Sequence, residues 1–208
     1  MDQVKMNQAR ERPVLDVSGL PESAFGRSNT TWLANVFYMM IEGTMFALLF
    51  ASYFYLRTRA SSWPPVQLPP YLCYGVANGI VFLISVIPAR YAQKVASTGD
   101  RARVRLALGA LALFAIVAMV LRGFELASLN CRWYDNAYGS IVWSLIGIHT
   151  GHLITEFIET AVLFGVSLTP KMEGTRLADA AINSDYWYFV VITALLVDFV
   201  IYGTTRFL

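Results

Sequence analysis

The sequence predicts an all-α, polytopic membrane protein: a bundle of five transmembrane helices with a cytoplasmic N-terminus and a periplasmic C-terminus. Three observations predict it. Hydrophobic and aromatic residues make up 56% of the chain and charged residues only 14%, against about 25% charged in an ordinary soluble domain. The charges gather between five long apolar runs, as they do when runs cross lipid and charges stay wet. Lys and Arg also fall mostly on alternate connections, which orients the chain. The net charge of +2 gives no reason to expect a nucleic-acid partner.

Residues 1–31 read as a cytoplasmic tail. They are polar, carry Pro13 and Pro21, and lack the apolar stretch of a signal peptide. The bundle occupies residues 32–208. About 20 residues at 1.5 Å rise cross the ~30 Å hydrocarbon layer. The runs that satisfy this are Trp32–Leu56, Tyr71–Tyr91, Val104–Leu121, Ile141–Leu168 and Tyr186–Phe207; the third is the shortest, with room to extend through Arg122 toward Ala127. The first connection holds Trp63, Pro64, Pro65, Pro69 and Pro70, which is stiff and non-helical. Short connections make sequential helices neighbours. Gly43, Gly75, Gly79, Gly109, Gly147 and Gly151 lie inside spans, where small residues let helix backbones approach.

Orientation follows from the basic residues. Lys5, Arg10, Arg12 and Arg27 lie in the tail, Arg90, Lys94, Arg101, Arg103 and Arg105 around the second connection, and Lys171 and Arg176 in the fourth. The other side carries Arg57, Arg59, Arg122, Arg132 and Arg206. The first set is the larger and marks the cytoplasmic side.

Ionisable residues inside spans are costly and call for explanation. Glu42, Glu156 and Asp198 fall near mid-depth of the first, fourth and fifth spans, with no Lys or Arg expected at that level. Such carboxyls are expected to be protonated and hydrogen-bonded. In the fourth span His149, His152, Glu156 and Glu159 are spaced three, four and three apart, which puts them on one helical stripe, with His152 able to reach Glu156. Three readings of this stripe stand side by side: a polar seam between helices or subunits, a proton-handling chain, or a metal site. The metal reading lacks a second helix offering Glu-x-x-His. Asp198 reads as structural. Trp32, Tyr53, Trp63, Trp143, Tyr186, Trp187 and Tyr188 lie near span ends and read as interfacial belts. Cys73 and Cys131 both fall on the outer face, where a disulfide is permitted, but two cysteines fall short of a disulfide framework and two free thiols are the preferred reading. No haem- or copper-binding set of Cys, His and Met is present, so no catalytic and no metal residue is assigned to the chain.

The stretch Tyr138-Gly139-Ser140-Ile141-Val142-Trp143, continuing through Gly147, His149 and His152 to Leu153, resembles the most characteristic segment of cytochrome c oxidase subunit III. Glu42 followed by Met45, Phe46, Phe50 and Tyr53 resembles that family's acidic helix, and Asp185-Tyr186-Trp187-Tyr188-Phe189-Val190 its closing helix. Tyr188 stands where the family usually has His, Val191 where it has Asp, and Glu156 where Gly is common. The resemblance is to the short five-helix bacterial form.

The resemblance implies a non-redox accessory subunit of a proton-translocating haem-copper oxidase in aerobic respiration, in a bacterial inner membrane. Haem and copper would reside in subunits I and II, and cytochrome c or quinol would meet the chain only through them. The subunit would pack on subunit I, hold phospholipid, and support proton uptake and complex stability. Glu42, His149, His152, Glu156 and Glu159 are then the lipid- or proton-linked candidates. A quinol-oxidase subunit, a homologue that accompanies nitric oxide reductase, and a stand-alone proton-linked carrier remain the other readings.

Overall fold

The computed structural model describes residues 25–26, 29–65 and 70–207. Nearly all of the expected tail lies outside them. The described residues form five long helices: α1 (Thr30–Arg59), α2 (Leu72–Ala96), α3 (Arg101–Ala127), α4 (Ala137–Ser167) and α5 (Thr175–Asp198). All five are long and apolar enough to cross a membrane, and no strand occurs among the described residues. Even α2, with 25 residues, is about 38 Å long at 1.5 Å per residue, more than the hydrocarbon layer requires.

Local chemistry sets the helix ends. The side chains of Asn29, Asp100 and Asn136 accept hydrogen bonds from the backbone N–H groups of Thr31, Arg103 and Gly139, capping α1, α3 and α4. The turn from α2 to α3 needs Gly99 at φ 73°, a left-handed conformation that suits glycine. After Asp198, α5 widens into a π-helical turn over Phe199–Gly203 before a last helical turn, Thr204–Phe207.

Two spans differ from expectation. The third runs from Arg101, so Arg101, Arg103 and Arg105 begin a helix. The Asp100 cap and Arg105 donating to the Ser167 carbonyl at 2.7 Å hold it there. The fifth starts eleven residues before Tyr186, at Thr175. Its opening is too polar for a hydropathy reading, yet Asn183 is buried and donates to Thr160 of α4 at 3.0 Å.

Packing is uneven. The α2–α3 interface is built on small residues, with Ala89, Ala92, Ala107, Ala115 and Ala118 all buried, which suits helix association in lipid. α5 lies centrally against α2 and α4, whereas α1 leans on α4 and α5 along a narrow strip. Half of the most apolar window of α5 is buried, against 11% for α1. Of the span glycines, Gly75 and Gly109 serve close approach: a Cβ on Gly75 would overlap the Tyr202 ring, and one on Gly109 would crowd Phe164 at 3.0 Å. Gly147 and Gly151 have open space instead.

Several aromatics expected at interfaces are core residues. Tyr53 is fully buried, shares a 2.8 Å hydrogen bond with Thr204 and accepts one from the Trp63 indole at 3.0 Å. Trp187 is fully buried and donates to Ser85 of α2 at 2.8 Å. Water is absent from the hydrocarbon layer, so such polar tips find partners within the bundle.

Candidate functional site

The Tyr138-Gly139-Ser140 segment is a structural lock where α4 begins. Tyr138 is buried and meets the Trp63 ring edge-on at 5.0 Å. The Arg132 carbonyl occupies the place where a Cβ on residue 139 would sit. Ser140 donates to the Trp133 carbonyl at 2.7 Å. Nearby, the Cys131 thiol is buried, which pushes its pKa up to about 11, and the Asp135 carboxylate adds to the shift. Cys131 and the exposed Cys73 are both free thiols.

Two polar clusters lie within the bundle. The first joins α1, α4 and α5 around Glu42. One Glu42 oxygen accepts from the Tyr186 hydroxyl at 2.7 Å, and the other lies 3.1 Å from His152 Nε2. His152 Nδ1 is 2.7 Å from the Ile148 carbonyl, so Nδ1 carries a hydrogen. One further proton therefore lies between His152 Nε2 and Glu42. It sits on the carboxyl when both groups are neutral and on the imidazole when they form an ion pair. The pair is electrically neutral either way, which suits a low-dielectric site. It opens on a groove of about 440 Å³ whose walls include Tyr38, Met45, Ile148 and Thr155.

The second cluster joins α3, α4 and α5 and corrects the expectation that no cation shares the carboxyls' depth. By the charge count Arg122 belongs with the wet basic residues of the outer side. It is fully buried inside α3, bound to Glu125 at 2.6 Å and to Asp198 at 3.3 Å. Tyr202, on the π-helical turn, donates to the second Glu125 oxygen at 2.7 Å. His149 Nε2 is 3.0 Å from the Val190 carbonyl and so donates to it. Its Nδ1 faces Arg122 at 3.4 Å. That geometry describes a neutral imidazole accepting from a guanidinium. One guanidinium balances one carboxylate, so the cluster is electrically neutral when either Glu125 or Asp198 carries a proton, and a neutral cluster is what burial at this depth tolerates.

The four residues of the α4 stripe therefore do not act as one chain. His149 joins the Arg122 cluster, and His152 joins Glu42 rather than Glu156 as expected. Glu156 is buried with neither oxygen hydrogen-bonded, and Glu159 is exposed. The stripe is wide enough that positions 149 and 156 face inward while 152 and 159 face sideways. Arg122, Glu125 and Tyr202 were missed. Glu125 lay only three residues from Arg122, the spacing of a helical ion pair, and that signal was available in the sequence.

The fold and these clusters describe a multi-pass membrane helix bundle in which Glu42 pairs with His152, and Arg122 with Glu125 and Asp198, inside the protein. Among the described residues no three His, Cys, Asp or Glu side chains converge to hold a metal. No family model matches the sequence. Individual relatives do. A probable cytochrome c oxidase subunit 3 of Mycobacterium tuberculosis is 28% identical over 187 residues, covering 86% of this chain and 90% of the relative. A probable cytochrome c oxidase subunit 3 of Nocardia farcinica is 26% identical over 178 residues, 80% and 84% of the two chains. The cytochrome c oxidase subunit 3 of Thermostichus vulcanus is 24% identical over 174 residues, 82% and 85%. Together they support the cytochrome c oxidase subunit III family for this chain, the family that Tyr138–Leu153 resembles.

Proposed function

We propose that the chain is the non-redox accessory subunit III of a haem-copper terminal oxidase, part of an oxidoreductase complex without a redox centre of its own. The observation that carries this reading is the likeness to proteins named cytochrome c oxidase subunit 3 along most of both chains. In this reading haem and copper reside in subunits I and II, and the N-terminus is cytoplasmic in a bacterial inner membrane. The lightly buried α1 offers a long apolar side, including Phe37, Met40, Ile41 and Leu48, for subunit I and lipid to cover. The Glu42–His152 pair lies at the edge of that side and can pass one proton across one hydrogen bond. It supports proton uptake by subunit I and the endurance of the complex, whereas the Arg122 cluster holds the bundle together.

The test is oxygen consumption by the native complex with the chain present and after its removal. The expected outcome is a similar initial rate with a rate that fades over many turnovers once the chain is gone. Equal endurance with and without the chain would remove the supporting role.

A further inference from the structure

One face of the bundle carries a groove unused by either polar cluster's hydrogen bonds. It runs between α2 and α5. At one end Arg90 and Lys94, one helical turn apart on α2, are both exposed and have no ion pair among the described residues. Tyr188 of α5 turns its buried hydroxyl toward the Arg90 guanidinium. The nearest carboxylate, Asp185, is already occupied by the Gln93 amide at 2.6 Å and the Trp32 indole at 3.1 Å. From these polar groups the groove, about 660 Å³, descends along Val86, Ile192 and Leu195. Leu83 and Leu195 also line a second, almost wholly apolar groove of about 330 Å³ that continues to Gly79 and Gly75. No residue of α1 or α4 lines either groove.

Two cations without a carboxylate partner, and a buried hydroxyl beside one of them, at the mouth of an apolar channel fit a phosphodiester with a hydrocarbon tail. We propose that this groove is a binding site for one anionic phospholipid. Arg90 and Lys94 clamp the phosphate, the Tyr188 hydroxyl donates to a headgroup or ester oxygen, and an acyl chain lies against Leu83, Ile192 and Leu195. In the proposed orientation the cations lie at the cytoplasmic leaflet, where anionic lipids are abundant. The inference deepens the lipid-holding part of the proposed function and rests on it.

The experiment uses the full chain, and the complex it copurifies with, washed free of lipid in detergent. Phosphatidylglycerol, phosphatidylcholine or inorganic phosphate is added, and bound lipid is read by native mass spectrometry. Phosphatidylglycerol is expected to bind in preference to phosphatidylcholine. Arg90→Gln and Lys94→Gln each weaken it about fivefold. Ile192→Trp, which fills the channel without touching a charge, weakens it too. Equal binding of the two lipids, wild-type binding by all three variants, or displacement by equimolar inorganic phosphate would overturn the proposal; the last result would mean a bare anion site. Because these side chains are exposed, an unchanged helix content and melting temperature checks that each variant is folded. Whether oxidase subunits copurify is scored separately, so a failure of the proposed function is distinguishable from a failure of the lipid site.

Discussion

Replacing Glu42 separates shape from charge at the α1–α4–α5 junction. Its carboxyl is nine-tenths buried and holds two partners, the Tyr186 hydroxyl at 2.7 Å and His152 Nε2 at 3.1 Å. Glu42→Gln keeps both bonds: the amide oxygen accepts from Tyr186 and the amide N–H donates to His152. Glu42→Ala strands both. The Tyr186 hydroxyl and the His152 imidazole are both largely buried, and each unsatisfied group costs about 1–3 kcal/mol. Glu42→Ala should therefore lose about 2–6 kcal/mol, the sum over the two stranded groups. Glu42→Gln should stay within about 0.5 kcal/mol of wild type. The assay is reversible unfolding of the purified subunit in mixed micelles, followed by helix content. Gln also removes the mobile proton while preserving the fold, so the same variant in the whole complex should shorten sustained oxygen consumption. Equal destabilisation by Gln and Ala would refute the hydrogen-bonding account, and unaltered endurance of the Gln complex would reduce Glu42 to a packing residue.

Further outcomes follow from other sites. Arg122→Met leaves Glu125 and Asp198 without their cation and should destabilise by about 3–5 kcal/mol in the same unfolding assay; a loss under about 1 kcal/mol would show that the carboxyls never depended on it. Gly75→Ala puts a methyl into the Tyr202 ring and should cost about 1–3 kcal/mol while loosening the Tyr202–Glu125 bond; wild-type stability would contradict the close approach. Cys131, with its thiol pushed up to about 11 by burial, is almost entirely protonated near neutral pH, and its thiolate grows only as pH rises toward that value. A membrane-impermeant maleimide applied to intact cells at neutral pH should thus label the exposed Cys73 and spare Cys131. Labelling of Cys131 at a matching rate, or of Cys73 only after permeabilisation, would overturn the burial and the orientation respectively.

The long runs of apolar residues made the five spans readable, because crossing lipid imposes length and hydropathy directly on sequence. The fifth span shows where that signal stops. Its first turns lie among Arg176, Asp179 and Asn183, whose cost is met by helix-to-helix bonds such as Asn183 to Thr160 rather than by low polarity. The candidate residues Glu42, His149, His152 and Glu156 were legible as in-span ionisable groups, but their partners were not. Partners depend on which face of α4 meets which helix, and a 3.6-residue period fixes a face without naming its neighbour. Arg122 is the clearest case. A charge beside a predicted span end reads as wet, and only the packing of α3 against α4 and the π-helical end of α5 shows it enclosed by Glu125, Asp198 and His149.

The most direct test of the account is purification of the tagged chain from its native membrane in mild detergent, with subunit composition, haem spectrum and copper content measured together. The account predicts that subunits I and II of a haem-copper oxidase copurify in fixed ratio, and that the chain expressed by itself carries neither haem nor stoichiometric copper. Recovery of the chain without oxidase subunits from membranes that contain an assembled oxidase, or a tightly held metal on the isolated chain, would contradict it.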